Sequence, residues 1–366
     1  MSTPLGPLVR LEGINVQQLP SGSKPAGEDS TAPDLKTFIT DVINEAVPFI
    51  DGVAPKSGGQ VTWKKKGSGK RYSSSEALVY SYERTVSGKD LDKISGMNQF
   101  SADRKDETWF CRRSCHRNAA EKGTASWEEF VHSFKEHHHE SEDAFTPSVI
   151  GAREAMAWDT MGIEVEAQGG RWVSISLKVV EMKHKIDPKP LKNRTFPVLQ
   201  LSASLEDTQE FIVVSIPITD FDKSPQAEYA RDKSLVVAAY TSIERIRILP
   251  NSGEIEWIMA TASDAGGVLP QWLQNLAVPG KVAHDVDMFL AWIPSQRTAK
   301  AKVERAPVTR SSTFDKSLPA APVQSDTASV ATAPPPPISK EPEAAGRPPM
   351  SKEESANKVL PAAPVQ

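Results

Sequence analysis

Apolar residues recur at helical spacing near both ends of one central stretch, and at alternating spacing between them. Leu35, Phe38, Ile39, Val42, Ile43 and Ala46 share one helical face, with Asp34 placed to cap the helix and Pro48 and Gly52 marking its end. Two strands are expected near 76–86 and 107–117. Ser126 and Glu129 form a capping box ahead of a helix whose stripe is Trp127, Phe130, Val131 and Phe134. From Arg171 the pattern turns strongly to strand. The segment 172–186 puts Val173, Ile175, Leu177 and Val179 on one face, and 195–205, 209–218, 235–249 and 254–263 follow. Turn signals such as Glu206-Asp207 and Asn251-Ser252-Gly253 separate them, so consecutive strands should pair as an antiparallel meander. The last periodic piece is helical. Leu269, Trp272, Leu273, Leu276 and Ala277 form a stripe, Pro279-Gly280 interrupts it, and Val282, Val286, Phe289, Leu290 and Ile293 continue it.

This order implies an α+β fold in which a curved antiparallel sheet wraps around a long C-terminal helix, the helix-grip layout. One face of the sheet must be covered, and the terminal helix is the long helix that follows the strands. Such a layout tends to leave room between sheet and helix, which suits a hydrophobic ligand. The candidate cavity walls are Phe211, Val213, Trp257, Met259, Leu269, Trp272, Leu276 and Phe289. Glu181, His184, Glu244 and Arg245 interrupt apolar strands and are candidate polar groups for a ligand's head or hydroxyl. Alternation offers a second reading for the same four residues, on the solvent face. A Glu/His pair can also serve general acid–base chemistry, the route to an enzyme rather than a binding module.

Outside this stretch the composition changes. Residues 1–33 are rich in Gly, Pro and Ser, with 8–16 as a segment able to dock as a strand. Residues 297–366 hold 12 prolines and a single aromatic, Phe314, too little apolar area to offset ordering entropy. This tail repeats LPAAPVQ at 318–324 and 360–366 and contains Pro334 to Pro337, which read either as a docking site for proline-recognising domains or as a low-complexity tail. The expected organisation is therefore a disordered segment at 1–33, a ligand-binding domain at 34–296 and a disordered tail at 297–366. No secretory signal and no membrane-length apolar run are visible, so a cytoplasmic protein is expected, peripheral at membranes.

The formal net charge of -4 argues against nucleic acid as a partner. Lys64, Lys65, Lys66, Lys70 and Arg71 nevertheless form a local basic cluster, read as a loop that can meet an anionic bilayer or simply be solvated. Gly67-Ser68-Gly69-Lys70 lacks the flanks of a phosphate loop. Cys111 and Cys115 are too few for a disulfide framework or a thiolate metal site. In the group His132, His137, His138, His139 and Glu140, two metal ligands on one helical face would want a spacing of three or four, but His132 to His139 is seven and adjacent histidines point about 100° apart, so no metal or other cofactor is expected. These histidines read instead as a polar helix end.

The segment 254–293 resembles the C-terminal signature of START lipid-transfer domains. The matching residues are Trp257 in the strand, Asp264 and Gly267 in the turn, then Leu269, Pro270, Trp272 and Leu273. Arg194 and Phe196 resemble that family's entry to a middle strand, and 228–249 its stretch before the last hairpin. The fuller pattern, at 109–116, 127–130, 139–147 and 181–199, is similar to a fungal family of START-like proteins of unknown function. The resemblance implies a non-catalytic lipid- or sterol-binding or transfer module. The same broad fold also hosts polyketide-cyclase-like enzymes, and a ligand-sensing adaptor using the tail is a third reading.

Overall fold

The computed structural model describes residues 6–21, 33–55, 59–94, 104–187, 189–266 and 271–305, with the side chains of 271–277 and 300–305 excepted. The N-terminal helix α1 (Leu35–Asp51) begins where Asp34 accepts a hydrogen bond from the Thr37 N–H at 3.0 Å. Its expected stripe is buried, with Val47, Phe49 and Ile50 added, and the helix runs through Pro48 to Asp51. Strands β1 (Lys64–Arg71), β2 (Leu78–Val86) and β3 (Glu107–His116) follow, with a short helix α2 (Gly88–Leu91) between the last two. Helices α3 (Trp127–Phe130) and α4 (His138–Phe145) flank a π-helical turn at Val131–Glu136. The remaining strands are β4 (Val149–Ala157), β5 (Val165–Ala167), β6 (Gly170–His184), β7 (Arg194–Leu205), β8 (Glu210–Pro217), β9 (Val236–Val237), β10 (Ala239–Ile248) and β11 (Ile255–Asp264), before the long helix α5 (Gln271–Arg305).

All eleven strands join one sheet, ordered β1-β2-β3-β11-β10-β8-β7-β6-β4, with β5 on β6 and β9 on β7. Every pairing is antiparallel except β7 with β9. The meander from β6 to β8 and from β10 to β11 follows the alternation of the sequence. The pairing of β3 with β11 is long-range, and it carries the β1–β3 unit to the far side of the last hairpin.

The α+β helix-grip layout is the observed one, with a helix on each face. α5 packs on the face carrying Trp257, Phe211, Val213 and Ile246. α1 packs on the opposite face, among Ile243, Ile258, Ala260 and Ile212. Burial on both sides explains why all eight residues of β8 are buried, a pattern that alternation alone would not give.

Three local expectations are corrected. Val173 does not share a face with Ile175, because a bulge at Ser174 (φ 50°) shifts the register and turns Trp172 into the core instead. The basic cluster is not a loop: Lys64 to Arg71 form the edge strand β1. Pro279-Gly280 does not break the terminal helix. Proline's fixed φ is helical and removes one N–H, and Val282, Val286, Phe289, Leu290 and Ile293 hold the helix against the sheet beyond it.

The helix also passes the expected boundary at 296. The Arg297 guanidinium donates to both carboxylate oxygens of Glu129 at 2.6 and 2.8 Å and to the Thr124 and Glu121 carbonyls at 2.9 and 2.7 Å. Glu129 meanwhile accepts the Ser126 N–H at 2.8 Å, completing the capping box. At the other end of the chain, 8–16 docks with one bridge from Ile14 to Ile218 and with buried Val9 and Ile14. The Arg10–Glu107 ion pair at 3.1 Å and Glu45, which accepts the Leu8 and Val9 N–H groups, fix it there. The proline-rich tail lies outside the described residues.

The Arg297 clamp fastens α5 to α3, so Arg297→Ala should cost about 1.5–3 kcal/mol, the scale for hydrogen bonds to charged groups. Urea unfolding measures it, and an unchanged midpoint would show that the clamp adds nothing.

Candidate functional site

Register brings polar groups into the interior between sheet and α5. Cross-strand partners make one row of Arg112 (β3), Met259 (β11), Glu244 (β10), Val213 (β8) and Ser202 (β7). The next row is Phe110, Thr261, Ser242, Ser215, Gln200 and Lys178. On one side of this polar band lies an apolar cluster of Trp257, Phe211, Ile246, Phe130, Phe134 and Phe289. On the other lies a smaller one of Val180, Met182 and Val198, with Phe196 and Tyr240 against it.

Glu244 organises the band. One carboxylate oxygen accepts the Trp257 indole N–H at 2.6 Å and Arg112 Nη2 at 3.3 Å, and the other meets His138 Nε2 at 3.1 Å. The Gln200 side-chain amide lies 3.2 Å from His138 Nδ1, so the imidazole meets Glu244 through one nitrogen and Gln200 through the other. The Arg112 guanidinium lies 3.7 Å from the Trp257 ring centroid. Its Nε and Nη1 have no hydrogen-bond partner among the described residues. Burial works against Glu244's charge, but His138, Arg112 and Trp257 outweigh it and hold the carboxyl below the usual range. Burial likewise opposes the His138 charge, and Glu244 wins, raising it.

Asp285 projects from α5 into the field of this cluster. Burial raises its carboxyl to about 7, Arg112 opposes the rise, and the negative charges of Glu142 and Glu244 add to it. Burial also raises Glu142 and the Tyr240 phenol. Asp285, Glu142, Tyr240 and Met259 nevertheless keep partial accessible surface.

The expected site residues divide. Phe211, Val213, Trp257, Met259 and Phe289 share the α5 side of the sheet, and all but Met259 are buried. Leu269 lies outside the described residues, as do the side chains of Trp272 and Leu276. Glu244 is central to the interior. His184 is on the same face at its rim, edge-on to Phe196, with its imidazole lowered to about 4 by burial. Glu181 and Arg245 are corrected: they point to the opposite face. Glu181 pairs with Arg153 and accepts the Glu228 and Ala230 N–H groups at 3.0 and 2.7 Å. Arg245 pairs with Asp51 at the end of α1. Both therefore serve structure. Lys64, Lys65, Lys66 and Arg71 are exposed on β1, as is Lys70, but Lys66 is tied to Glu83 at 3.2 Å.

Arg112, His138, Glu142, Gln200 and Asp285 were missed. One signal was available: Asp285 falls three residues after Val282 and four before Phe289, on the apolar stripe of α5. For Arg112 and His138 the partners come from distant strands. The histidine run is not a polar helix end but the junction of the π turn with α4.

Residues 109–293 match the family described as "Protein of unknown function (DUF3074)". The chain belongs to the DUF3074 family. All of the interior groups named above, from Arg112 to Asp285, lie within the DUF3074 stretch. No curated protein sequence matches the chain. Among solved structures it is similar to human STARD10, at 15% identity over 76% of this chain and 86% of that one, with a TM-score of 0.45. It is similar to human StAR-related lipid transfer protein 5 at 12% identity, over 74% and 100%, with a TM-score of 0.42. It is also similar to the human StarD13 (DLC2) lipid transfer and protein localization domain at 12% identity, over 62% and 88%, with a TM-score of 0.36.

Because Asp285 is raised from 3.8 to about 7, the folded state binds more protons than the unfolded state between those values, and stability falls as pH rises through that window. Asp285→Asn should remove the slope. Its melting temperature should exceed the parent's by a margin that grows from about pH 5 to about pH 7 and then levels. A pH-independent difference between the two would rule out a buried, neutral Asp285.

Proposed function

We propose that the interior between the sheet and α5 is a cavity that binds an amphipathic lipid, without catalysing a reaction. The observation that carries this reading is the Arg112–Glu244–His138 cluster set between two apolar clusters. Groups raised by burial that still keep accessible surface, as Asp285, Glu142 and Tyr240 do, are those expected around an enclosed space. Phe211, Val213, Met259 and Phe289 would contact the apolar part of the ligand. The unpartnered Arg112 nitrogens would receive a hydroxyl or anionic head, since leaving them unmet costs about 1–3 kcal/mol. Two of the similar solved structures bear names that include lipid transfer, the class of ligand proposed.

Transfer between membranes is the finer proposal. Lys64, Lys65, Lys70 and Arg71 on the exposed edge strand would meet an anionic surface, each worth about 1 kcal/mol there. No described helix is long and apolar enough to cross a membrane. The second reading is an acid–base enzyme. It draws on Asp285, whose carboxyl at about 7 suits proton transfer.

Native mass spectrometry of the purified full chain, followed by lipid extraction, tests the binding reading. A copurified or exchangeable lipid is expected, and Glu244→Gln should weaken its retention about tenfold or more, as loss of a charged hydrogen bond does. An interior that takes up no member of a panel of sterols, fatty acids and phospholipids would remove the proposal. For the membrane step, Lys64→Glu with Lys65→Glu should reduce sedimentation with anionic vesicles, and raised salt should do the same. Equal binding to neutral vesicles would remove the role of β1.

A further inference from the structure

Histidines on an α-helix share a face at spacings of three or four, and residues five apart stand about 140° apart around the axis. The turn Val131–Glu136 is π-helical, and it changes that rule. The His137 N–H donates to the His132 carbonyl at 3.0 Å, an i to i+5 bond. The wider turn brings the two imidazoles together, with ring centroids 4.6 Å apart and planes tilted by 56°. It also brings Glu136 alongside, its carboxylate 3.6 Å from His132 Nδ1. One ligating atom from each of His132, Glu136 and His137 lies within 4.8 Å of the other two.

We propose that these three residues bind a divalent transition-metal cation of the zinc class. Two imidazole nitrogens and a carboxylate oxygen form a donor set for Zn²⁺, Ni²⁺ or Cu²⁺ rather than for Mg²⁺ or Ca²⁺, which take oxygen shells. Bond lengths of about 2.0–2.2 Å place ligand atoms roughly 3.3 Å apart around a tetrahedral ion. All three side chains are exposed, so ordinary rotamer changes close the remaining gap without repacking a core. Water or a ligand atom from outside fills the fourth position. Glu140 stands 3.9 Å from His137 Nδ1, where a carboxylate would orient the ring by accepting the N–H on the nitrogen not bound to metal. The backbone has already brought the ligands together, and the turn continues directly into His138, which bonds Glu244 in the interior.

The test uses the full chain without an affinity tag, stripped of metal by a chelator and titrated with Zn²⁺ by calorimetry, with Mg²⁺ as comparison. One Zn²⁺ per chain should bind and Mg²⁺ should not. His132→Gln and His137→Gln should each weaken Zn²⁺ binding by about tenfold or more, and Glu140→Gln by a smaller factor. Because the substituted side chains are exposed, melting temperatures without metal should be unchanged. Co²⁺ in place of Zn²⁺ should give visible absorption bands of a four-coordinate site, lost in the His132→Gln, His137→Gln double variant. His284 forms a separate surface pair with Asp287 at 3.6 Å, so His284→Gln should leave binding intact. Absence of saturable Zn²⁺ binding, an unchanged affinity in the double variant, or a loss in His284→Gln would each overturn the assignment.

Discussion

A carboxylate enclosed between a sheet and a helix keeps its charge only if its neighbours supply the hydrogen bonds that water would have given. Glu244 is in that position. Trp257 comes from the adjacent strand, Arg112 from the strand beyond it, and His138 from the start of α4. Its ionisation therefore depends on three pieces of chain being in register at once. A one-residue slip of β3 against β11 would turn Arg112 to the opposite face and leave Glu244 without its cation. Truncating one partner of such a buried pair is costly because the other charge stays behind. The cluster thus ties the first three strands to the last hairpin more specifically than apolar contact does.

The two faces of the sheet divide the polar work. On the α1 side, Arg245, Arg247 and Arg113 surround Glu256, and Asp51 closes the end of α1 against Arg245. Those charges form ion pairs that hold the end of α1 to the sheet, and Arg245 Nε has no hydrogen-bond partner among the described residues. On the α5 side, Arg112 has two nitrogens without partners, and Asp285 and Glu142 are raised by burial beside a Glu244 that stays charged. Buried polar atoms without partners occur on both faces, and on the α5 side they stand beside carboxyls that burial raises. The α5 side is distinguished by placing a charged Glu244 close to Asp285 and Glu142, whose carboxyls burial raises.

The π turn is a second case of backbone geometry deciding chemistry. It carries Phe134 into the aromatic cluster with Trp257 and Phe289, and it delivers His138 to Glu244. A regular α-helix through 131–136 would rotate everything after it, and neither the His138 contact nor the approach of His132 to His137 would survive.

By itself, the sequence determined the local elements. The α1 stripe from Leu35 to Ala46, the Ser126–Glu129 capping box, the alternating strands after Arg171 and the α+β class all follow from interactions within a few residues, so periodicity records them. It also fixed that Glu244 and Arg245 must face opposite ways, as neighbours in a strand do. Which of the two faced α5 was a matter for the tertiary structure, because that depends on α1 taking the other side. The same holds for Arg112, whose importance comes from strands about 130 residues away in sequence. Helix continuity past Pro279 and the meeting of His132 with His137 were likewise decided by non-local packing and by a turn that departs from α spacing. Local pattern encodes which side chains share a face. Only the assembled sheet and helices decide what that face meets.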